Sequence, residues 1–233
     1  MFRPDVEDKS RSKIVDPTQN IDDFPQTPAP GTTGMAVKRL IDITGALAFF
    51  IFFSPLYFAV ALSIWLSGGG YIYYRQTRLG RDGKPFLAYK FRSMVANAEQ
   101  VLEEFLAQDA VALAEWKTFQ KLNNDPRIIP IGKFIRRFSI DELPQFWNVL
   151  RGDMSLIGPR PCMERQRSLY GNAWKHYTTM RPGLTGLWQV SGRNNLSFAQ
   201  RVALDTEYVT SWSLVLDAKI LLKTFRAVIV DGK

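Results

Sequence analysis

Residues 40–66 read LIDITGALAFFIFFSPLYFAVALSIWL, an almost wholly apolar and aromatic run that decides the fold class of the chain. The run is longer than the roughly 20 residues that an α-helix needs to cross a bilayer. Few helices of soluble proteins are apolar on every face over such a length. We therefore predict a membrane helix here, and a buried helix in a soluble core is the less favoured alternative.

The course of this helix through the membrane is open to two interpretations. Pro55 has no backbone N–H and clashes with the preceding turn, so a break is expected at Ser54-Pro55, where the Ser54 hydroxyl could satisfy a freed carbonyl. Basic residues flank both ends of the run: Lys38, Arg39, Arg75, Arg78 and Arg81. Basic flanks favour the cytoplasmic side, and a spanning helix cannot place both of its ends there. A re-entrant helix-break-helix in one leaflet and a kinked spanning helix therefore both remain open from the residues alone.

The rest of the chain divides around this segment. Residues 1–34 are polar, have no apolar periodicity, and are predicted to form a disordered or loosely attached tail that is not a signal peptide. Residues 35–67 form the predicted membrane segment. Residues 68–233 are predicted to form a domain that lies on the membrane surface.

This surface domain is predicted to be mainly helical with one small hairpin, which makes the fold class α+β. The hairpin joins residues 71–79 and 85–92 through an Asp-Gly turn. Its basic residues are expected near lipid headgroups: Arg75, Arg78, Lys90 and Arg92. Apolar spacing and stop signals predict helices over residues 93–122, 131–138, 144–151, 164–177, 198–212 and 214–230. The second and the last of these carry basic faces and could lie in the membrane interface.

Composition restricts the chemistry and the partners. The net charge of +8 and the pI of about 9.6 favour an anionic partner, such as nucleic acid, anionic lipid or a phosphorylated substrate. The single histidine, His176, argues against a histidine-built metal site or a Ser-His-Asp triad. The single cysteine, Cys162, rules out an internal disulfide framework. If the chain is an enzyme, carboxylates must therefore serve as acid, base or nucleophile.

Two adjacent carboxylates, Asp141 and Glu142, lie in the stretch SIDELPQ at residues 139–145. Arg136 precedes them and Arg160 follows them, and arginines bind phosphate in a bidentate manner. A carboxylate that attacks an anionic phosphate needs its repulsion offset by arginine or by a divalent ion. Arg136 and Arg160 could supply the first and Mg²⁺ the second. The pattern thus indicates chemistry on a phosphorylated substrate.

The same stretch also matches a helix capping box, in which Ser139 and Glu142 satisfy the first free N–H groups of a helix. Asp141 would then only lie beside the positive end of that helix. Pro144 argues against this, because it would fall inside the helix, where its missing N–H breaks the hydrogen-bond ladder. If Pro144 lies in the first turn instead, both carboxylates precede the helix and can face a ligand. Both interpretations stay open from the local sequence.

A series of motifs resembles, in order, those of the bacterial sugar transferase family, the monotopic phosphoglycosyl transferases that act on polyprenol phosphate. They are Lys38-Arg39 before the apolar run with Ser54-Pro55, residues 90–94 (KFRSM), 139–145 (SIDELPQ), 148–155 (NVLRGDMS), 157–161 (IGPRP) and 181–193 (RPGLTGLWQVSGR). The resemblance extends from Lys38 to the C-terminus. The short length, without further N-terminal membrane helices, is most similar to the priming enzymes of exopolysaccharide assembly.

This resemblance implies a covalent mechanism on the cytoplasmic face of the bacterial inner membrane. Asp141 matches the nucleophile that attacks the β-phosphorus of a UDP-sugar, expels UMP and contacts Mg²⁺, and Glu142 matches its partner acid. Arg136 and Arg160 match phosphate-binding arginines. Ser54-Pro55 matches the break of a re-entrant helix that does not span the membrane. The expected substrates are undecaprenyl phosphate and either UDP-galactose or UDP-glucose.

Two other functions are kept as alternatives. One is an ordinary glycosyl transferase, which would release UDP, and the other is a non-catalytic basic module that binds the membrane surface. Anionic lipids are expected partners, and a homo-oligomer is left open. Nucleic acid is not expected, because the basic residues are dispersed and no RNA-binding motif is present. After Arg193 the sequence reads Asn194-Asn195-Leu196, a departure from the family pattern that leaves the sugar contact of this loop unassigned.

Overall fold

The computed structural model describes residues 31–67, 71–119, 122–192 and 196–229. Most of the predicted tail, residues 1–30, lies outside the described residues, whereas residues 32–34 already belong to the first helix. Within the described residues, helices α1 to α10 cover Thr32–Leu66, Ala98–Gln108, Ala110–Phe119, Pro130–Arg137, Gln145–Arg151, Arg167–Tyr170, Trp174–Tyr177, Leu187–Ser191, Phe198–Thr210 and Leu214–Ile229. Strands β1 to β4 cover Tyr73–Leu79, Pro85–Phe91, Ser155–Ile157 and Gly183–Thr185.

The fold is mainly helical with a small antiparallel hairpin, which confirms this part of the predicted fold class. β1 and β2 pair with Tyr73 opposite Phe91 and Leu79 opposite Pro85. The turn between them holds Asp82 in the left-handed region at φ 59°. Aspartate visits this region more readily than most residues because its short side chain can hydrogen-bond locally. The Asp-Gly pair therefore located the turn correctly.

α1 runs as one helix through Pro55, which differs from the predicted division into two helices at this point. Pro55 has no N–H to donate to the carbonyl oxygen of Ile51, four residues earlier. The Ser54 hydroxyl lies 3.4 Å from that oxygen and donates a long hydrogen bond in its place. The helix thus continues across the proline while its neighbouring serine satisfies the freed carbonyl. A re-entrant course in the membrane stays a prediction.

Both halves of α1 pack against the surface domain. In the N-terminal half, the ring of Phe49 stacks on Phe146 of α5 with 3.8 Å between the centroids. In the C-terminal half, Ile64 is fully buried in a cluster with Phe91 of β2 and Ile135 of α4. The helix and the domain therefore share apolar cores along much of the helix instead of meeting only at one end.

Buried polar contacts fix the N-terminal half of α1 to the domain. Lys38 Nζ lies 2.7 Å from Asp217 Oδ2 of α10 and 2.9 Å from the carbonyl oxygen of Ile157 in β3. Asp42, one turn further along α1, accepts a hydrogen bond of 2.9 Å from the Ser155 hydroxyl. Removing a charge from water costs several kcal/mol unless the charge is paired. These contacts therefore specify where α1 sits on the domain.

The opposite face of α1 is apolar and exposed. Four of its large side chains are between 69% and 76% exposed: Ile51, Phe52, Phe58 and Leu66. Contiguous apolar patches of this kind mark interaction with a membrane or a partner protein. By length and composition, α1 is the one helix in the described part of the chain that could cross a membrane. The exposed face of α1 therefore indicates contact with lipid.

Two of the predicted helices are divided in the structure. The helix predicted over residues 93–122 is split by Asp109, whose carboxylate accepts hydrogen bonds of 2.9 Å from two following backbone N–H groups and so begins α3. The helix predicted over residues 164–177 is split at Gly171, which adopts φ 49°. In both stretches the apolar spacing continues across the break, so the spacing alone does not reveal it.

A short parallel pair, β3 with β4, is absent from the sequence-based prediction. Ser155 lies opposite Gly183 and Ile157 opposite Thr185. The chains approach so closely that a Cβ added to Gly183 would collide with the backbone of Gly158. Strands of three residues carry too little pattern to be predicted, but this pair fixes the segment that follows β3.

Replacing Lys38 with methionine is expected to lower the free energy of unfolding by about 3–5 kcal/mol, because the buried Asp217 carboxylate loses its cation. The measurement is thermal unfolding of the detergent-solubilised protein. Lys84→Met, at an exposed position beside the hairpin turn, is the matched control. The double variant Lys38→Met/Asp217→Leu should recover part of the loss. Equal melting temperatures for Lys38→Met and the control would contradict the anchoring role.

Candidate active site

The turn Ile140–Glu142 places the two carboxylates between α4 and α5. Ser139, just before the turn, adopts the left-handed conformation at φ 56° and redirects the chain at the end of α4. Pro144 immediately precedes the first residue of α5, so both carboxylates come before this helix. Their position agrees with the interpretation in which Pro144 lies at the start of the helix and the two carboxylates can face a ligand.

The capping-box interpretation is wrong for this turn. Ser139 makes no side-chain hydrogen bond to the backbone of the turn. The side chain of Glu142 is engaged elsewhere, since its Oε1 accepts hydrogen bonds from Lys90 Nζ at 2.6 Å and from Arg160 Nη2 at 3.1 Å. Hydrogen bonds between ionised partners are about twice as strong as neutral ones. Glu142 is therefore clamped between two cations, and this arrangement is named the clamp below.

Lys90 of β2 faces the acid pair and not the lipid headgroups expected for it from the sequence. Its Nζ also lies 3.8 Å from Asp141 Oδ2, so one ammonium group serves both carboxylates. Arg78 of β1 is only 9% exposed and donates a hydrogen bond of 3.1 Å to the carbonyl oxygen of Pro161. The prediction that the basic residues of the hairpin face lipid is therefore wrong for Lys90 and Arg78.

Arg160 lies in the segment after β3 and reaches the acid pair. Its side chain is 36% exposed, so part of the guanidinium group is accessible to a ligand. The segment is tightly packed at Gly158, where an added Cβ would come within 2.5 Å of the carbonyl oxygen of Arg181. This packing against the chain that leads into β4 holds Arg160 in place. The phosphate contact expected for Arg160 stays a prediction.

Arg136 lies in the last turn of α4 and is exposed. Its positive charge lowers the pKa of the Asp141 carboxyl in part. Arg136 is thus near enough to Asp141 to act on a ligand that binds at this carboxylate. Its phosphate contact, like that of Arg160, stays a prediction.

The two carboxyl groups of the pair differ in acidity. Burial raises the pKa of Asp141 to about 6, although Lys90 and Arg136 lower it in part. Burial would also raise the pKa of Glu142, but Arg160 and Lys90 outweigh this effect and hold it at about 2. Glu142 is therefore a fixed anion. Asp141 is the less firmly held carboxylate, with a pKa suited to proton or phosphoryl chemistry near neutral pH.

Mg²⁺ is the ion that the family resemblance implies at Asp141. Among the described residues, no group of three or more His, Cys, Asp or Glu side chains is placed to hold a metal ion. Mg²⁺ is commonly bound by one or two carboxylates together with substrate phosphates and water. Asp141 fits such a shared site because its ion pair with Lys90 is long, at 3.8 Å, whereas Glu142 is already engaged by two cations.

A cavity of about 140 Å³ adjoins the acid pair. Arg78, Arg160 and Pro161 line both this cavity and the hollow at Glu142, so the two spaces are neighbours. Its remaining walls include Tyr170, Trp188, Phe198, Arg201 and Asp205. The cavity gives a ligand at the acid pair room to extend past Arg160.

Sequence reasoning missed several residues of this region, among them Lys90 and Asp205. Asp205 carries a signal that could have been used, because it lies on the buried face of α9 together with Val202 and Val209. A carboxylate on such a face needs a partner or a function. Lys90 begins the family motif at residues 90–94, but nothing in the local pattern indicates that it contacts the acid pair. The sequence departs from the family pattern at Asn194-Asn195-Leu196, and of these residues Asn194 and Asn195 lie outside the described residues.

Comparisons with known proteins cover most of the chain. The sequence profile of the family described as bacterial sugar transferase matches residues 33–231, a range that includes the acid pair, both cations of the clamp and nearly all of α1. The chain is similar to the exopolysaccharide production protein ExoY of Sinorhizobium fredii, with 45% identity over 203 residues that cover 87% of this chain and 90% of that protein.

Two further relatives are longer than this chain. The UDP-galactose-lipid carrier transferase of Erwinia amylovora is 49% identical over 193 residues, which cover 83% of this chain and 40% of that protein. The undecaprenyl-phosphate galactose phosphotransferase of Salmonella typhimurium is 48% identical over 193 residues, again 83% of this chain and 40% of that protein. This chain therefore corresponds to less than half of each of these two proteins.

Proposed function

The chain belongs to the bacterial sugar transferase family and is an enzyme of that type, and we propose that it transfers hexose 1-phosphate from a UDP-hexose to undecaprenyl phosphate and releases UMP. The observation that carries the proposal is the clamped acid pair. Glu142 is fixed between Lys90 and Arg160, while Asp141 lies beside the same ammonium group with a raised pKa. An anionic nucleophile among cations is the arrangement that attack on a diphosphate requires.

In the proposed first half-reaction, a carboxylate oxygen of Asp141 attacks the β-phosphorus of UDP-hexose. The bond from that phosphorus to the bridging oxygen breaks, and this oxygen leaves with UMP. The hexose phosphate is then bound to Asp141 as an acyl phosphate, a mixed anhydride, and no proton has to be supplied or removed. Lys90, Arg136 and Arg160 offset the negative charge that accumulates around the phosphorus.

In the second half-reaction, a phosphate oxygen of undecaprenyl phosphate attacks the same phosphorus, and the Asp141 carboxylate leaves. The product is undecaprenyl diphosphate hexose, and the enzyme returns to its starting state. With a pKa of about 2, Glu142 is a poor proton acceptor. We therefore assign to Glu142 the positioning of Lys90 and Arg160 in both steps, in preference to a role as general base.

Mg²⁺ belongs to the proposal as an ion shared between Asp141 and the substrate. When bound, it would neutralise diphosphate charge and polarise the phosphoryl oxygens. The residues of the chain provide the rest of the charge compensation through the clamp and Arg136.

The proposed site lies on the cytoplasmic face of the inner membrane, with α1 re-entrant in one leaflet. Packing of both halves of α1 on the surface domain supports this course, as do the basic residues at both ends of the helix. On α10 the exposed residues Lys219, Lys223 and Arg226 form one basic stripe suited to anionic lipids. One substrate is soluble and the other is embedded in lipid, so a covalent intermediate lets a single site serve each in turn.

Galactose is the first sugar to consider. The names of the relatives from Erwinia amylovora and Salmonella typhimurium both refer to galactose. UDP-galactose is therefore proposed as the donor, with UDP-glucose as the alternative that the family resemblance implies.

The released nucleotide distinguishes this proposal from its rivals. We expect the purified protein, given Mg²⁺, undecaprenyl phosphate and UDP-galactose or UDP-glucose, to release UMP. Asp141→Asn should reduce this release by about 10³-fold or more without loss of folding, since the amide is a poor nucleophile. Asp109→Asn is the matched control, because asparagine also begins helices and α3 should be preserved.

Three results would contradict the proposal. Release of UDP would indicate an ordinary glycosyl transferase, and release of no nucleotide from any UDP-hexose would indicate a non-catalytic membrane module. Undiminished turnover by Asp141→Asn would exclude the covalent route through this residue.

The topology is tested by labelling single cysteines placed at Thr33, an exposed position in the first turn of α1, and at Tyr71, an exposed position beyond the C-terminal end of α1. The background is Cys162→Ser, so that no other thiol reacts. A re-entrant α1 places both cysteines on the cytoplasmic side, and both should react only with reagent applied there. Labelling of the two positions from opposite sides of the membrane would show that α1 spans the membrane.

A further inference from the structure

The cavity beside the acid pair contains a carboxylate that the transfer reaction described above does not use. Asp205 of α9 is 2% exposed and lines this cavity of about 140 Å³. Its Oδ2 accepts a hydrogen bond of 3.0 Å from the Tyr170 hydroxyl. Its Oδ1 has no hydrogen bond of good geometry among the described residues, although the Arg160 backbone N–H is near enough to lower the pKa of the carboxyl group. A buried oxygen without a partner destabilises the fold, so its retention calls for a functional explanation.

The protonation of this group suits neutral polar ligands. Burial raises the pKa of Asp205 to about 8, although the Tyr170 hydroxyl, the Arg160 backbone N–H and the Arg160 charge lower it in part. Near pH 7 the carboxyl group is therefore mostly protonated in the empty cavity. A protonated carboxyl group can donate one hydrogen bond and accept others, as hydroxyl groups also do.

The other walls of the cavity combine apolar surface with hydrogen-bond donors. The guanidinium carbons of Arg160 and Arg201 lie 5.7 Å and 4.7 Å from the ring centroid of Trp188. Guanidinium groups donate hydrogen bonds to hydroxyl oxygens. Small-ligand sites typically pair apolar and aromatic walls with a few placed polar groups of this kind. The cavity therefore fits a compact ligand that carries several hydroxyl groups.

We propose that this cavity holds the hexose ring of the donor and that Asp205 binds the hexose hydroxyl groups. The inference rests on the proposed function, and it identifies the part of the substrate that this region recognises. It makes Asp205 a binding residue, distinct from the reacting Asp141. Arg201 and Trp188 complete the same subsite.

Connectivity favours the hexose over the uridine as the occupant. Arg160 donates a hydrogen bond to Glu142 in the acid pair and also lines the cavity, so the two spaces adjoin. If the β-phosphate of the donor binds at the acid pair, the group that enters the cavity is the one attached directly to this phosphate. In a UDP-hexose the β-phosphorus carries the hexose directly, whereas the uridine is one phosphate further away.

The test measures equilibrium binding to the full chain that carries Asp141→Asn, so that no turnover occurs. It compares the affinities for UDP-galactose and UDP-glucose with the affinity for UDP. Adding Asp205→Ala is expected to weaken binding of at least one UDP-hexose about tenfold or more and to leave UDP binding unchanged. Glu207→Ala is the matched control. It removes a carboxylate from the same helix, α9, at a position that does not line the cavity, so it should not weaken UDP-hexose binding relative to UDP.

Two outcomes would overturn the proposal. Equal weakening of UDP and UDP-hexose would assign the cavity to the nucleotide, and unchanged binding of both by folded Asp205→Ala protein would leave Asp205 without a ligand. If Asp205→Ala does not fold, Asp205→Asn is judged by the same criteria, with a smaller selective loss expected. This binding measurement does not depend on which nucleotide the wild-type enzyme releases. A wild-type protein that releases UDP would therefore refute the transfer reaction and leave the assignment of the cavity standing.

Discussion

Glu142 is held between two cations that come from distant parts of the chain, Lys90 of β2 and Arg160 after β3. A partly buried charge is costly without a partner, so none of the three groups would be stable in this place alone. The hairpin, the turn before α5 and the β3–β4 pair must therefore meet for the site to form. Asp141 takes its position from this clamp, because it is the residue next to Glu142 in the same short turn. The structural frame and the proposed chemistry thus depend on the same ion pairs.

The membrane helix takes part in this frame. Phe91, next to Lys90 in β2, is buried against the C-terminal half of α1. At the other half of the helix, Lys38 donates to the carbonyl oxygen of Ile157, at the end of β3 that leads to Arg160. A displacement of α1 would disturb the supports of both cations of the clamp. The helix that is expected to bind lipid is therefore also part of the support of the site, which suits an enzyme that must place a lipid phosphate next to a soluble substrate.

Local signals predicted those parts of the molecule that depend on a few neighbouring residues. The Asp-Gly turn located the hairpin, Pro144 located the start of α5, and Ser54 satisfies the carbonyl that Pro55 leaves free. Contacts between distant residues could not be derived in this way. Glu142 looked like part of a capping box because its partner Lys90 lies 52 residues away, and Lys90 itself looked like a lipid-binding residue for the same reason. The catalytic role proposed for Asp141 came from the family resemblance, and the structure supplies the surroundings of this residue.

The central claim is that Asp141 carries the hexose phosphate during the reaction. The most direct measurement is mass spectrometry of the full chain after incubation with Mg²⁺ and UDP-galactose in the absence of undecaprenyl phosphate, followed by peptide mapping. The account predicts a mass increase of one hexose phosphate on the peptide that contains Asp141, loss of this mass when undecaprenyl phosphate is added, and no adduct in Asp141→Asn. An adduct on a different residue, or release of UMP without any adduct, would contradict it.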